Sequence, residues 1–185
     1  QAMDGGARLI QYRDKNSTRR TLYENAKKLR EITADRGVTL IINDQIDLAQ
    51  AVLADGVHLG QDDLPLQVAR WVLGENALIG ISTHTLEEAI QAEKEGANYI
   101  GFGPIFSTKT KADTRPAVGI EAIVEIRRHI QIPVYAIGGI RLDHLPEILS
   151  SGAKGVAPIS AMAGDVRSHV EEWIKVLATL TPLQR

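Results

Sequence analysis

Cysteine is absent from all 185 residues. Disulfides, thiolate nucleophiles and cysteine-bound zinc are excluded with it, and an intracellular home is expected. Charge of one sign is missing as a run: 21 Lys and Arg stand against 23 Asp and Glu, a formal net charge of −2. Without a broad basic face, nucleic acid and anionic membrane are not expected as partners, and small molecules are. No apolar stretch is long enough to span a bilayer, and the opening "QAMDGGARLI" has neither the basic nor the apolar segment of a signal peptide. The absences together predict a soluble cytoplasmic protein. Linkers, low-complexity tracts and a second domain are also missing. Residues 1–185 therefore read as one domain, able to bury roughly 70 per cent of its unfolded surface.

What is present is a repeat. "QAMDGGARLI", "AVLADGVHLG", "QAEKEGANYI" and "LSSGAKGVAP" read as one junction four times over: a helix end, a glycine suited to the left-handed residue that follows a helix, then a short strand. Apolar runs rich in Val and Ile lie at Arg8–Tyr12, Thr39–Ile42, Gly56–Leu59, Leu78–Ser82, Tyr99–Phe102, Pro133–Ile137 and Gly155–Ile159. They lack in-and-out alternation, which predicts parallel strands covered on both faces. Between them lie amphipathic segments such as "TLEEAIQAEKEG", with Thr85 and Glu88 at capping-box spacing and Leu86, Ala89 and Ile90 as an apolar stripe. Alternating strand and helix leaves an open doubly wound sheet or a closed barrel. No glycine-rich dinucleotide fingerprint follows any strand, since "GFGPIF" has Pro and Phe where the pattern needs a helix and a third glycine. The expected fold is a (β/α)8 TIM barrel, with a first strand and most of its helix missing from the N-terminus of the sequence.

In such a barrel the site is built by the loops that follow the strands. Here those loops are polar: "QYRDK" with Arg13 and Lys15, "NDQ" with Asn43 and Asp44, "GQDD" with Asp63, "STHT" with Ser82, and "STKTK" with Ser107, Thr108, Thr110 and Lys111. The last two, "GGI" and "ISA", occupy the usual phosphate position of a barrel. Backbone N–H groups of Gly138, Gly139, Ile159 and Ser160, with a helix N-terminus, would hold a phosphomonoester; ordinary tight turns are the other reading. Arg13, Lys15 and Lys111 form a second cationic cluster that would suit a pyrophosphate, although "RDK" alone also fits a solvated loop. Asp44 and Asp63 each fit a helix N-cap, while as a pair beside a pyrophosphate they fit magnesium. His58 and His84 end strands without metal-ligand spacing, and a core or cap role competes with a catalytic one. The loop from Gly103 to Gly119 is longer than the usual connection of about 2–6 residues and would serve as a lid over an anion.

The motifs "QYRDK", "NDQIDLA", "ADGVHLGQDD", "GISTHT", "GANYIGFGPIFSTKTK", "AIGGI" and "GVAPISAM" resemble, in order and spacing, those of the thiamine-phosphate synthase family over essentially the whole chain. The resemblance implies a magnesium-dependent transferase of thiamine biosynthesis. It would join hydroxymethylpyrimidine pyrophosphate to hydroxyethylthiazole phosphate, releasing pyrophosphate and giving thiamine phosphate by a dissociative mechanism. It also implies roles: Gln11, Tyr12, Arg13, Asp14, Lys15, Asn43, Ser82 and Lys111 on the pyrimidine pyrophosphate, with Arg13, Lys15, Ser82 and Lys111 carrying catalysis. Asp44 and Asp63 would hold Mg2+, and Thr108, Lys109 and Thr110, with Gly139, Ile159 and Ser160, would hold the thiazole phosphate. Lys111→Ala would then cut turnover far more than stability. Pro158 departs from the family pattern, which usually has an aliphatic residue there, and removes one N–H beside the phosphate loop. Two rivals remain. A sister family of thiazole tautomerases resembles this one and implicates a histidine at the position of His84 in proton transfer. A non-catalytic binder of a phosphorylated thiazole would keep "GGI" and "ISA" without needing the two carboxylates. A homo-oligomer is compatible with all three.

Overall fold

The computed structural model describes residues 1–108 and 115–180. Strand and helix alternate: β1 (Leu9–Tyr12), α1 (Arg19–Asp35), β2 (Thr39–Asn43), α2 (Ile46–Ala51), β3 (Gly56–Leu59), α3 (Leu66–Leu73), β4 (Leu78–Thr83), α4 (Leu86–Lys94), β5 (Tyr99–Phe102), α5 (Glu121–Arg127), β6 (Val134–Ile137), α6 (Leu145–Ser150), β7 (Gly155–Ala157) and α7 (Val166–Leu180). Short 3₁₀ turns at Leu142–His144 and Ser160–Met162 precede α6 and α7. The strands follow chain order in one seven-stranded sheet, with parallel registers across β1–β4 and across β5–β7. All seven expected strands are found, although the last ends at Ala157 and not at Ile159. No helix of the described residues is long and apolar enough to cross a membrane.

Packing groups the chain into two compact units. The first comprises Arg8–Ser82 with Glu95–Asn98. Its core is the apolar filling of β2–β4, where Leu40, Ile41, Ile42, Val57, Leu59 and Ile79 are all but fully buried. Strands covered on both faces need no alternation, which is why these segments read as unbroken apolar runs. β1 departs from that expectation: Leu9 is 47% exposed and burial alternates along the strand. Among the described residues it stands first in the strand order and pairs only with β2.

Gly56 also departs from expectation. It is not a left-handed residue after a helix; Leu53 takes positive φ at that junction (54°), whereas Gly6, Gly96 and Gly152 do so at the other three. Gly56 lies inside β3, where a Cβ would come within 1.9 Å of the Leu78 carbonyl oxygen of β4. Nearby, Asp55 Oδ2 accepts from Leu40 N–H at 2.7 Å and pairs with Arg30 Nη1 at 2.9 Å, tying α1 and β2 to the entry of β3. Arg70 Nη1 donates to the Ala77 and Glu75 carbonyls, and its Nη2 reaches Asn98 Oδ1 at 3.0 Å.

The second unit gathers the described parts of Gln1–Ala7, Thr83–Lys94 and Tyr99–Arg185. Helix α4 starts as the capping spacing predicts on one side only: Thr85 Oγ1 accepts from Glu88 N–H at 3.2 Å, but Glu88 Oε2 reaches back to His84 N–H, at 2.6 Å. The expected stripe shifts too, because Ala89 and Ala92 are buried whereas Ile90 is 42% exposed. Glu93 Oε1 takes the N–H groups of Gln131 and Ile132, securing the connection into β6. The long loop after β5 is closed at its base, where Val118 N–H donates to the Pro104 carbonyl at 2.9 Å and Gly119 N–H to that of Ile105 at 3.2 Å.

Candidate active site

The first unit carries a cleft of about 290 Å3 at the ends of β1 and β2, lined by Asp14, Lys15, Ser17, Leu22, Asn43, Asp44 and Gln45. Its rim is made by a self-bonded loop. Asp14 Oδ1 accepts from Asn16 N–H at 3.0 Å and Ser17 N–H at 3.1 Å, and these donors hold its carboxyl below the usual range. Asp14 thus lines the cleft while spending an oxygen on shaping the loop. That loop presents Lys15, whose Nζ lies 2.9 Å from Asp44 Oδ2.

Asp44 itself stands in the left-handed region (φ 62°), anchored by its N–H on the His58 carbonyl at 2.8 Å. Aspartate is among the few residues that tolerate this conformation, and such strain gathers at functional sites. Asp63, on the loop after β3, accepts from Gly60 N–H through Oδ2 at 2.6 Å. Burial pushes its carboxyl above the usual value, and contact with Asp44 adds to the rise, against the pull of the Gly60 N–H and the Lys15 ammonium. The two carboxylates are therefore brought together, in an arrangement that a cation between them would relieve. Neither caps a helix: α2 is preceded by Gln45 and α3 by Pro65, and neither makes a side-chain cap bond. Among the described residues no group of three or more metal-binding side chains converges, so this pair would leave most of an ion's coordination to substrate oxygens and water.

Ser82, at the end of β4, is buried. Its hydroxyl lies 2.8 Å from His58 Nε2, and its carbonyl accepts from Gln61 Nε2 at 2.7 Å. His58 thus steadies a predicted site residue. Gln11, Tyr12, Arg13, Asp63 and Ser82 are not among the residues lining the cleft, whereas Ser17 and Gln45, which sequence reasoning missed, are.

The second unit carries its own cleft, about 580 Å3, lined by Ser107, Thr108, Gly139, Ile140, Arg141, Ser160 and Ala161. Here the fold works through backbone. Gly138 and Gly139 both have positive φ (85° and 66°). A Cβ on Gly138 would come within 2.4 Å of Pro104 Cβ, and one on Gly139 within 2.7 Å of the Ser107 carbonyl oxygen. Only glycine lets the turn after β6 lie this close to the loop after β5. Of the candidate phosphate residues, Thr108, Gly139 and Ser160 line the cleft, while Gly138 and Ile159, the latter 52% exposed, are not part of the lining. The expected helix N-terminus is replaced by the 3₁₀ turn Ser160–Met162, and α7 begins only at Val166. Ser107, named with its loop from the sequence, also lines the cleft; Ile140, Arg141 and Ala161 were missed as lining residues, although Arg141, two residues after the glycine pair in "GGIR", carried a readable signal. The Arg141 guanidinium is held by Asp143 (Nη2 to Oδ2, 2.9 Å). His84 sits before α4 with Nδ1 3.4 Å from Glu88 Oε2. Lys109, Thr110 and Lys111 lie outside the described residues.

The model of the thiamine monophosphate synthase family matches residues 1–162. This chain belongs to the thiamine monophosphate synthase family. Thiamine-phosphate synthase of Chloroflexus aurantiacus is 44% identical over 181 residues, 97% of this chain and 83% of that one. The protein of the same name from Shouchella clausii is 47% identical over 170 residues, covering 91% and 81%. Among solved structures, thiamine phosphate pyrophosphorylase from Pyrococcus furiosus superposes with a TM-score of 0.89 at 42% identity, covering 98% of this chain and 88% of that one. Family membership agrees with the resemblance carried by the sequence motifs.

Proposed function

We propose that this chain carries the thiamine-phosphate synthase activity of its family, the first cleft taking the pyrophosphate of the pyrimidine substrate and the second the phosphate of the thiazole. The observation that carries this division is the convergence of Asp44 and Asp63 beside Lys15, which matches a polyanion with a divalent cation and not a phosphomonoester alone. Asp44 and Asp63 would hold Mg2+, which when bound would neutralise charge on the pyrophosphate oxygens. The associated fold reading is a (β/α)8 barrel that includes these seven strands, supported by their pairing in chain order.

The chemistry asks for no protein nucleophile. The bond from the pyrimidinyl methylene carbon to the pyrophosphate oxygen breaks, and its electron pair leaves with pyrophosphate. The thiazole nitrogen then donates its lone pair to the resulting carbocation, forming the new C–N bond. Residues contribute by charge and placement. Lys15, presented into the cleft beside Asp44, would meet negative charge developing on the leaving group. Arg13 and Lys111 would add to it, with Gln11, Tyr12 and Asn43 around the pyrimidine. Ser82, kept in place by His58 and Gln61, would offer its hydroxyl from a fixed position. In the second cleft, the backbone at Gly139 and Ser160 with the side chains of Ser107, Thr108 and Arg141 would hold the phosphate, Lys109 and Thr110 contributing from the same loop.

Incubating the protein with both phosphorylated precursors and magnesium should yield thiamine phosphate and one pyrophosphate per turnover, and neither product without the metal. Rearrangement of a thiazole phosphate without pyrophosphate release would favour the tautomerase reading. Binding of the thiazole phosphate with no turnover, unchanged by magnesium, would favour a regulator.

A further inference from the structure

Two of the three stretches that line the second cleft are far apart in the chain, Ser107–Thr108 in the Phe106–Thr108 segment and the Gly139–Arg141 turn. Beside them Phe106 N–H donates to the Gly138 carbonyl at 3.1 Å and Ile105 N–H to that of Ile137 at 2.9 Å. Glycine, which lets the walls approach, supplies no side chain to keep them together. His144, outside the lining, touches both. His144 ends the 3₁₀ turn after the glycine pair, with its side chain only 13% exposed. Its Nδ1 accepts the Arg141 N–H at 3.2 Å, fixing the backbone that carries Arg141 into the cleft. Its ring packs on Phe106, centroids 3.9 Å apart with planes at 31°.

We propose that His144 is the positioning residue of the phosphate cleft, clamping the Gly139–Arg141 turn to the Phe106–Thr108 segment through its Nδ1 acceptor on one side and its ring on the other. This rests on the reading that the second cleft takes the thiazole phosphate. His144 touches neither substrate; it acts through Arg141 and Phe106. For Nδ1 to accept, the ring proton must sit on Nε2, the atom facing Asp143 Oδ1 at 3.8 Å. Asp143 in turn holds the Arg141 guanidinium, so the turn Arg141–His144 orients both ends of that arginine, its amide through His144 and its guanidinium through Asp143.

The acceptor and the ring can be separated. His144→Asn keeps an acceptor at the same remove from the backbone and loses the ring; His144→Phe keeps a ring on Phe106 and loses the acceptor. Steady-state kinetics with each substrate varied in turn should show the KM for the thiazole phosphate rising about tenfold in His144→Ala, with kcat and the KM for the pyrimidine pyrophosphate within about twofold of wild type. His144→Asn and His144→Phe should each recover part of the loss. Should His144→Ala fail to fold, the Asn and Phe variants carry the test, each expected to lie between wild type and a rise of about tenfold. Equal changes in both KM values, or a lowered melting temperature with both KM values unchanged, would overturn the proposal. Ser107→Ala, which removes a side chain assigned to the phosphate, separates it from the reading beneath it. A raised thiazole KM in Ser107→Ala with none in the His144 variants would sink the clamp alone. No effect of either on that KM would sink the assignment of the cleft.

Discussion

Around the first cleft the decisive groups are ionised side chains: Lys15 on Asp44, Asp63 lifted by burial and by its neighbour, and Asp14 bent onto its own loop. Around the second they are mostly main chain and small side chains, two glycines at positive φ against Pro104 and Ser107, with Arg141 the one cation among the described residues that line it. Both arrangements suit phosphoryl oxygens, yet they are vulnerable to different changes. A cleft made of charges responds to the loss of a charge at nearly constant volume. One made by close backbone approach responds to the gain of a single methyl group.

The sharpest test of that contrast is isosteric. Asp63→Asn, or Asp44→Asn, should lower kcat/KM for the pyrimidine pyrophosphate by roughly 100- to 1000-fold, as loss of transition-state electrostatics does, and should weaken the response to added magnesium. An unchanged magnesium titration would break the comparison at its first term. Next comes Gly139→Ala. The new Cβ would meet the Ser107 and Phe106 carbonyl oxygens at 2.7 and 2.8 Å, so the KM for the thiazole phosphate should rise about 10- to 100-fold. Left-handed strain should also cost about 1–2 kcal/mol of stability in denaturant titration. A thiazole KM unmoved by this methyl would mean that the close approach does not shape the cleft. Arg141→Ala should raise the same KM by about 3- to 10-fold, less than a buried charged contact, because the guanidinium is exposed and shared with Asp143. That effect should fade at high salt, whereas the Gly139→Ala effect should persist. As a control, Asp55→Asn should leave both KM values unchanged and cost about 1–2 kcal/mol, by weakening the acceptor for Leu40 N–H and the Arg30 pair.

Periodicity located the strands well because β2–β5 are buried nearly throughout, and burial is what apolar runs report. At β1 it expected cover on both faces, whereas Leu9 is half exposed and burial alternates along Leu9–Tyr12. Gly56 was misread because a glycine admitting a neighbouring carbonyl and a glycine turning left after a helix are the same letter. Of the site, the charged motifs were legible as single residues. Their partners were not: Lys15 pairing with Asp44 and His58 meeting Ser82 depend on strand register, and Asp14 turns its carboxylate onto its own loop. Arg141 and His144 escaped because "GGI" drew attention to backbone donors, while the side chains that follow act through a turn not visible in the sequence.

The crowding at Gly56 bears on how variants of this protein would be scored. In a saturation library, every substitution there would drive carbon into the Leu78 carbonyl. The position would register as intolerant as Asp44, though it handles no reactant. Abundance measured alongside growth would tell the two apart: variants at Gly56 should vanish from the cell, while those at Asp44 should accumulate as idle protein.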